Sequence, residues 1–339
     1  MPVTVIIGGQ FGSEGKGKVA YYFAQATDAH IAVRVGGPNS GHTIVPPDGR
    51  THILKQLPTA AFLPDIRCVL PSGSYIDPHI LLSEVELTGL DVDRLFIDPN
   101  AVIISEEEKQ EEQQGILRQT IGSTQSGTGA GVKRRVERNN GVRLAKHEPE
   151  LHDFVRPVVP VMRDSLNQGR RILIEGTQGF GLSLLHSSWY PFATSRDTSA
   201  AAFVAEAGLS PLDVDQVVLV LRAFPIRVAG NSGPLPNEIS WEIVTKESLS
   251  TTPIIEHTSV TRSVRRVARF DSEVVRQAIL VNRPTHIILN HLDYIDISCR
   301  ISNVPSNKVE QWLAEIEATI GTSVDYLGFG PASLVPRTR

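Results

Sequence analysis

The sequence is poor in cysteine and has no apolar run long enough to cross a bilayer. Its two cysteines, Cys68 and Cys299, form no ligand-spaced cluster, which excludes a cysteine-built metal site and suits a reducing compartment. The N-terminus shows no signal-peptide pattern, so a cytoplasmic protein is expected. Positive charge is not in excess: the net charge of −4 argues against a dedicated nucleic-acid binder, although local basic patches can still hold phosphates. There is no internal repeat, low-complexity tract or convincing linker. At 339 residues the length alone leans slightly towards two domains, but without a linker a single domain over 1–339 is expected. Hydrophobic content of 41% and charged content of 21% are ordinary for a soluble globular chain.

What the sequence does have is a glycine loop. The β-branched run from Val3 gives way to Gly8-Gly9-Gln10-Phe11-Gly12-Ser13-Glu14-Gly15-Lys16-Gly17-Lys18, and the helix-compatible Val19–Ala24 follows. Strand, loop and helix N-terminus make an anion site: glycines let backbone N–H groups approach phosphate oxygens, and Lys16 adds a full charge. The spacing is not that of an ordinary P-loop, because Gln10 stands at the first glycine position and Gly17 replaces Ser/Thr. A plain glycine-rich turn opening an α/β domain stays open on spacing alone.

Short Val- and Ile-rich runs recur at Ile31–Val35, Arg67–Leu70, Leu95–Ile97, Val102–Ile104, Arg171–Ile174, Val217–Leu221 and His286–Leu289. Several are apolar throughout, as central strands covered on both faces are. Between them lie helical patterns, such as the stripe Val309, Trp312, Leu313 and Ile316. Alternating strands and helices predict an α/β fold with a mainly parallel sheet, whose ligands sit at the C-terminal strand ends. The acidic run Glu106–Gln114 and the basic run Lys133–Arg138 read as solvated helix faces. Val228–Pro236 reads as a functional loop.

Five separated segments together resemble the adenylosuccinate synthetases. They are the glycine loop; Asn39-Ser40-Gly41-His42-Thr43; Ile121-Gly122-Ser123-Thr124 followed by Arg135 and Arg138; Glu175-Gly176-Thr177-Gln178-Gly179 with Tyr190–Ser195; and Arg265-Arg266, Asn290-His291-Leu292-Asp293 and Gly330-Pro331. The order is collinear over almost the whole chain, and the length is that of the compact form. The resemblance implies a P-loop-like, GTPase-related fold with a mainly parallel central sheet flanked by helices. It implies a two-step ligation: a nucleoside triphosphate phosphorylates the 6-oxygen of a purine monophosphate, and L-aspartate's amine then displaces the phosphate.

The same resemblance distributes roles. Gly12, Ser13, Glu14, Gly15, Lys16, Gly17, Gly41, His42 and Thr43 would meet the triphosphate, and Asn290, Leu292, Asp293, Gly328, Gly330 and Pro331 its base. Ser13, Asn39, Ser123, Thr124, Gln178, Thr194 and Val228 would hold the monophosphate. Arg138 would reach its 5′-phosphate from the other subunit of a homodimer. Ser259, Thr261 and Arg265 would hold aspartate. Mg²⁺ would lie at Ser13 and the Gly41 carbonyl. Ser13, Lys16, His42 and Gln178 form the expected catalytic set, His42 donating to the moving phosphoryl. The bland alternatives are a structural histidine, a glutamine that satisfies backbone groups, and an Asp293 that caps a helix.

Two positions depart from the family. Ser13 stands where the resemblance expects an aspartate that takes the proton from purine N1, and serine cannot be that base at neutral pH. Serine does leave room for, and can accept from, a 2-amino group. Ser263 stands where an arginine approaches the ribose 2′-hydroxyl. Both changes resemble the family's phage branch, which joins aspartate to dGMP on the way to 2-aminoadenine DNA. The implied product is N6-succino-2-amino-2′-deoxyadenylate, made in the host cytoplasm. The alternatives are an ordinary ligase using IMP, and a non-ligase nucleotide-binding switch. Whether ATP, dATP or GTP is the donor is left open.

Overall fold

The computed structural model describes residues 2–138, 141–258 and 263–337. The strand Val3–Gly8, buried along its whole length, is the middle member of a nine-stranded sheet. It pairs in parallel with Ile172–Glu175 on one side and Val214–Arg222 on the other. Beyond the first neighbour lie Ile31–Arg34, Arg67–Leu70 and Leu95–Ile97; beyond the second lie His286–Asn290, Tyr326–Leu327 and Val335–Pro336. Every pairing is parallel except the last, between Tyr326–Leu327 and Val335–Pro336. The chain fills one flank, returns to insert Ile172–Glu175, and then builds the other. The resulting switch in direction opens a crevice at the C-terminal end of Val3–Gly8, where the glycine loop begins.

Six of the seven apolar runs read from the sequence are strands of this sheet; Val102–Ile103 pairs instead with Tyr75–Ile76. Covered faces explain their composition. Val5, Ile7, Val33 and Ile174 pack with Met162, Phe203, Val275 and Leu313 from four helices on one face. Ile6, Ala32, Leu173 and Val218 pack on the other with Val19, Ala20 and Phe23 of helix Lys16–Ala26. The stripe predicted near the C-terminus forms helix Asn307–Ile320, capped by Ser306. Val309, Leu313 and Ile316 are buried, Trp312 is half-buried against Phe270, and each such burial contributes roughly 1.5–3 kcal/mol.

The two charge runs are less solvated than their composition suggests. Helix Glu106–Gln114 buries Glu108 and Glu112, and it packs on helix Thr128–Glu137. Arg134 reaches Glu108 at 2.8 Å and Glu107 at 3.0 Å, and Lys133 reaches Glu111 at 2.8 Å. Glu112 accepts from the backbone of Gly127, Gly129 and Ala130, the unsatisfied N–H groups of the second helix's first turn. Opposite charges on facing helices, invisible to a reading of each run alone, account for the difference.

Candidate active site

Three charged residues end apolar strands at the crevice: Arg34, Glu175 and Arg222, exposed by 3%, 0% and 0%. Arg34 and Glu175 are register neighbours, and Arg34 Nη1 lies 3.1 Å from Glu175 Oε1. The same carboxylate binds His42 Nδ1, while its other oxygen accepts from the Thr59 amide at 2.8 Å and the Thr59 hydroxyl at 2.9 Å. Burial pushes the Glu175 carboxyl up, but the His42 hydrogen bond and the Arg34 charge outweigh it and hold it below its ordinary value. Burial, joined by Arg34, pulls the His42 imidazole down to about 3 against Glu175. An ionised carboxylate only accepts, so His42 carries its proton on Nδ1. To donate to a phosphoryl group as well, it must hold a second proton on Nε2.

His42 comes close to the glycine loop because Gly17 lacks a side chain. A Cβ there would lie 2.9 Å from His42 Cβ, the Thr43 carbonyl and Thr59 Cγ2. The loop itself is closed on a carboxylate. Glu14 is fully buried; its Oε1 accepts from the Gly12 N–H at 2.8 Å and the Gln10 N–H at 3.1 Å, and its Oε2 takes Lys16 Nζ at 2.7 Å. Two loop amides and the Lys16 ammonium, donors of the kind expected to meet phosphate, are thus met by Glu14. Asn290 secures the loop from outside by donating Nδ2 to the Glu14 carbonyl at 2.8 Å.

Around this loop lies a cavity of about 1130 Å³, more than one small ligand needs. Gly12, Ser13, Gly15, Lys16 and Gly17 line it, as do Asn39, Gly41, His42 and Thr43. Ser123, Thr124, Gln178, Thr194 and Val228 form another stretch of wall, and Arg265 with Ser263 a third. Ser13 is exposed there in a left-handed conformation (φ 56°), its carbonyl bound by Arg222 Nη1 at 2.9 Å. Arg222 also pairs with Glu256, which precedes the predicted aspartate segment. Burial raises the Glu256 carboxyl, but the Arg222 charge prevails and takes it down to about 2. Arg227 lies over the Phe11 ring at 4.8 Å and braces the loop it precedes by donating to Pro234 O at 2.9 Å.

Gly330, Pro331, His291 and Lys18 also line the cavity. Lys18 Nζ donates to the Gly330 and Ser333 carbonyls at 3.0 and 2.8 Å. Asp293 is fully buried behind this wall and bound to Arg300. Leu292 sends its side chain into the core and its N–H to the Gly328 carbonyl, so it does not line the cavity. Gly328 abuts Asn290, whose Oδ1 would lie 1.9 Å from a Cβ at that position. Arg138 stands apart: it is exposed beyond helix Thr128–Glu137, beside a smaller hollow shared with Ser72, Asn100 and Arg135. Ser259 and Thr261 lie outside the described residues.

Reading the sequence missed Arg34, Arg222, Glu256 and Glu112, and gave Glu175 no role. A signal was present for three of them: a lone charge ending an apolar strand, as in Ile31-Ala32-Val33-Arg34 or Ile172-Leu173-Ile174-Glu175, is costly to bury unless it is paired.

The adenylosuccinate synthetase family profile matches residues 5–148 and 143–302. The adenylosuccinate synthetase of Methanocaldococcus jannaschii is 38% identical over 97% of this chain and 94% of its own length. That of Pyrococcus horikoshii is 34% identical over 98% and 96%. Among solved structures, the cyanophage S-2L succinoaminodeoxyadenylate synthetase (PurZ), bound to dGMP and dATP as an energy donor, superposes with a TM-score of 0.85. It is 32% identical, over 100% of this chain and 96% of that one. The fully ligated Plasmodium falciparum adenylosuccinate synthetase shares the fold, with a TM-score of 0.87 at 18% identity over the whole of both chains.

Proposed function

The chain belongs to the adenylosuccinate synthetase family of C–N bond-forming ligases, and from that premise we propose that it joins L-aspartate to the 6-position of dGMP. A nucleoside triphosphate gives its γ-phosphoryl group to the purine 6-oxygen, the bond to the departing diphosphate breaking and the N1 proton passing to solvent. The aspartate amine then forms the new bond at C6 as the C6–O bond breaks, and inorganic phosphate leaves. Phosphorylation is needed because a bare carbonyl oxygen is a poor leaving group.

The observation that carries this reading is Ser13, which presents a short hydroxyl to the cavity where the family's inosine-using members are expected to present a carboxylate. Room and an acceptor for a 2-amino group suit a guanine ring. Ser263, also on the cavity wall, leaves the sugar without an arginine at its 2′ position. The likeness to the cyanophage enzyme bound to dGMP supports the same reading.

Lys16 and the loop amides would bind the transferring phosphates, with Glu14 giving up its place to them. His42, oriented by Glu175, would donate to the moving phosphoryl from Nε2, the phosphate charge drawing to that nitrogen the second proton that the imidazole lacks while its value is held at about 3. Gln178 would hold the purine 6-position. Thr124 and Thr194 would bind the 5′-phosphate, and Arg265 an aspartate carboxylate. Arg138, which lines a separate hollow and not its own chain's cavity, would serve that of a second protomer.

Ser13 and Gly41, which line the same cavity, offer a hydroxyl and a carbonyl as hard oxygens, and no cluster of three acidic, histidine or cysteine side chains occurs among the described residues. That set suits Mg²⁺ taking most of its ligands from phosphates and water. When bound, Mg²⁺ supplies neutralisation of the phosphate charge.

The test is an acceptor panel. With aspartate and ATP, dATP or GTP, dGMP should give the highest kcat/KM among dGMP, GMP and IMP. Preference for IMP would replace this reading with ordinary adenylosuccinate synthesis.

A further inference from the structure

Asp293 is buried without a trace of exposure, and its two oxygens are used unequally. Oδ2 accepts twice from one guanidinium, from Arg300 Nε at 2.8 Å and Nη2 at 2.6 Å. Oδ1 is sealed from solvent and accepts no hydrogen bond. An orphaned carboxylate oxygen in such a place is costly unless a ligand completes it.

Its surroundings say which ligand. Asp293 follows the strand His286–Asn290 and stands two residues after His291, which lines the cavity together with Gly330 and Pro331. Lys18 ties the carbonyls of Gly330 and Ser333 to the helix that opens at the glycine loop. The Arg300 stem runs beside Gly330, its Cγ 3.5 Å from where a Cβ would stand. Because these residues line the same cavity as the glycine loop, a triphosphate held at that loop can turn its base to them.

The donor count on that base then matters. A guanine presents N1–H and a 2-amino group side by side, a pair that a free carboxylate takes with both oxygens. An adenine presents one donor group, its 6-amino, which a single oxygen satisfies. Building on the ligase reading above, we propose that Arg300 selects the base of the phosphoryl donor: by occupying Asp293 Oδ2 it leaves one acceptor, which suits adenine and deprives guanine of its second contact. Arg300 acts through Asp293 and is a positioning residue.

The experiment uses ATP, GTP and ITP, the last being a GTP analogue without the 2-amino group. Both dissociation constants, by calorimetry, and kcat/KM with the better purine acceptor are measured. The unmodified protein should favour ATP and treat GTP and ITP alike within about 3-fold, since the 2-amino group finds no acceptor. Arg300→Ala should lower the ATP-to-GTP ratio by about 10- to 100-fold, the worth of one hydrogen bond to a charged group. It should also make GTP better than ITP.

Arg300→Lys, which can engage Oδ2 with one ammonium, should keep most of the original ratio. An unmodified protein that prefers GTP, or that takes GTP tenfold better than ITP, overturns the proposal without recourse to any variant. An unchanged ratio in a folded Arg300→Ala protein overturns it too. Because the ratios are read on the donor and in binding, preference for IMP over dGMP would sink only the acceptor reading.

Discussion

Glu14 and Lys16 face each other at 2.7 Å inside the glycine loop, with side-chain exposures of 0% and 2%. The loop thus carries its own anion. A buried pair of this kind becomes a liability when one partner is removed, because the other charge is left uncompensated.

Glu14→Gln should therefore lower stability by about 3–5 kcal/mol without ligand. The amide oxygen can still accept from Gln10 and Gly12, so the loop keeps its shape while Lys16 loses its counter-charge. Saturating nucleoside triphosphate should restore much of the loss. Melting curves with and without nucleotide check this, and an equal deficit in both would mean that phosphate does not replace Glu14.

His42 is held by Glu175 and by Arg34, whose Nη1 lies 3.1 Å from its Nε2. His42→Ala should reduce kcat by about 10²–10³ with little change in substrate affinity, as loss of a preorganised donor to a transferring phosphoryl does. Steady-state kinetics decide: a variant altered only in melting temperature would make His42 structural.

Ser13→Asp should weaken activity on dGMP, because the longer carboxylate crowds the 2-amino group. A displacement of about 1 Å can cost on the order of 10²-fold. The same change should raise activity on IMP. Ser13→Ala separates space from bonding: a nearly unchanged rate means that the hydroxyl only leaves room, and a sharp fall means that it bonds the substrate or the ion.

Arg138→Ala should raise the monophosphate KM by the equivalent of roughly 1.5–3 kcal/mol. Mixed oligomers of this variant with Lys16→Ala should regain activity if the arginine crosses between protomers. Failure to complement would leave Arg138 serving its own chain or none.

Glu256 links stability to pH. Its carboxyl is lowered to about 2 in the fold from an ordinary 4.5, so the folded state holds fewer protons between those values. The stabilisation is complete above about 4.5 and disappears as pH falls through 2. The gap is worth on the order of 3 kcal/mol. Denaturation between pH 6 and 2 should show the unmodified protein losing that much more than Glu256→Gln; parallel losses would remove Glu256 from the account.

Much of this architecture was legible beforehand. Fully apolar runs became buried parallel strands because the helices cover both faces, and the turn after Val3–Gly8 marked the crevice. Less legible were the relations between distant residues. Nothing in Glu106–Gln114 by itself shows that Glu112 will cap a helix fifteen residues on. Lys16 read as a free cation because its partner stands two residues away on a loop whose turns had to be seen. Leu292 stands among the base residues by motif, and only the fold shows that the 3₁₀ turn Leu292–Tyr294 turns its side chain into the core.

The acidic and basic helices have one more consequence. The stretch that includes Ser123 and Thr124 is strung between them, fastened at two depths. The Glu112 carboxylate that makes the amide caps is nearly buried, whereas Lys133–Glu111 is open to water and Arg134–Glu107 partly so. Mobile ions screen exposed charges over about 8 Å at physiological strength and over about 3 Å at 1 M. Rising salinity therefore slackens the outer fastening and spares the inner one, so the medium tunes the tension of this stretch without unthreading it.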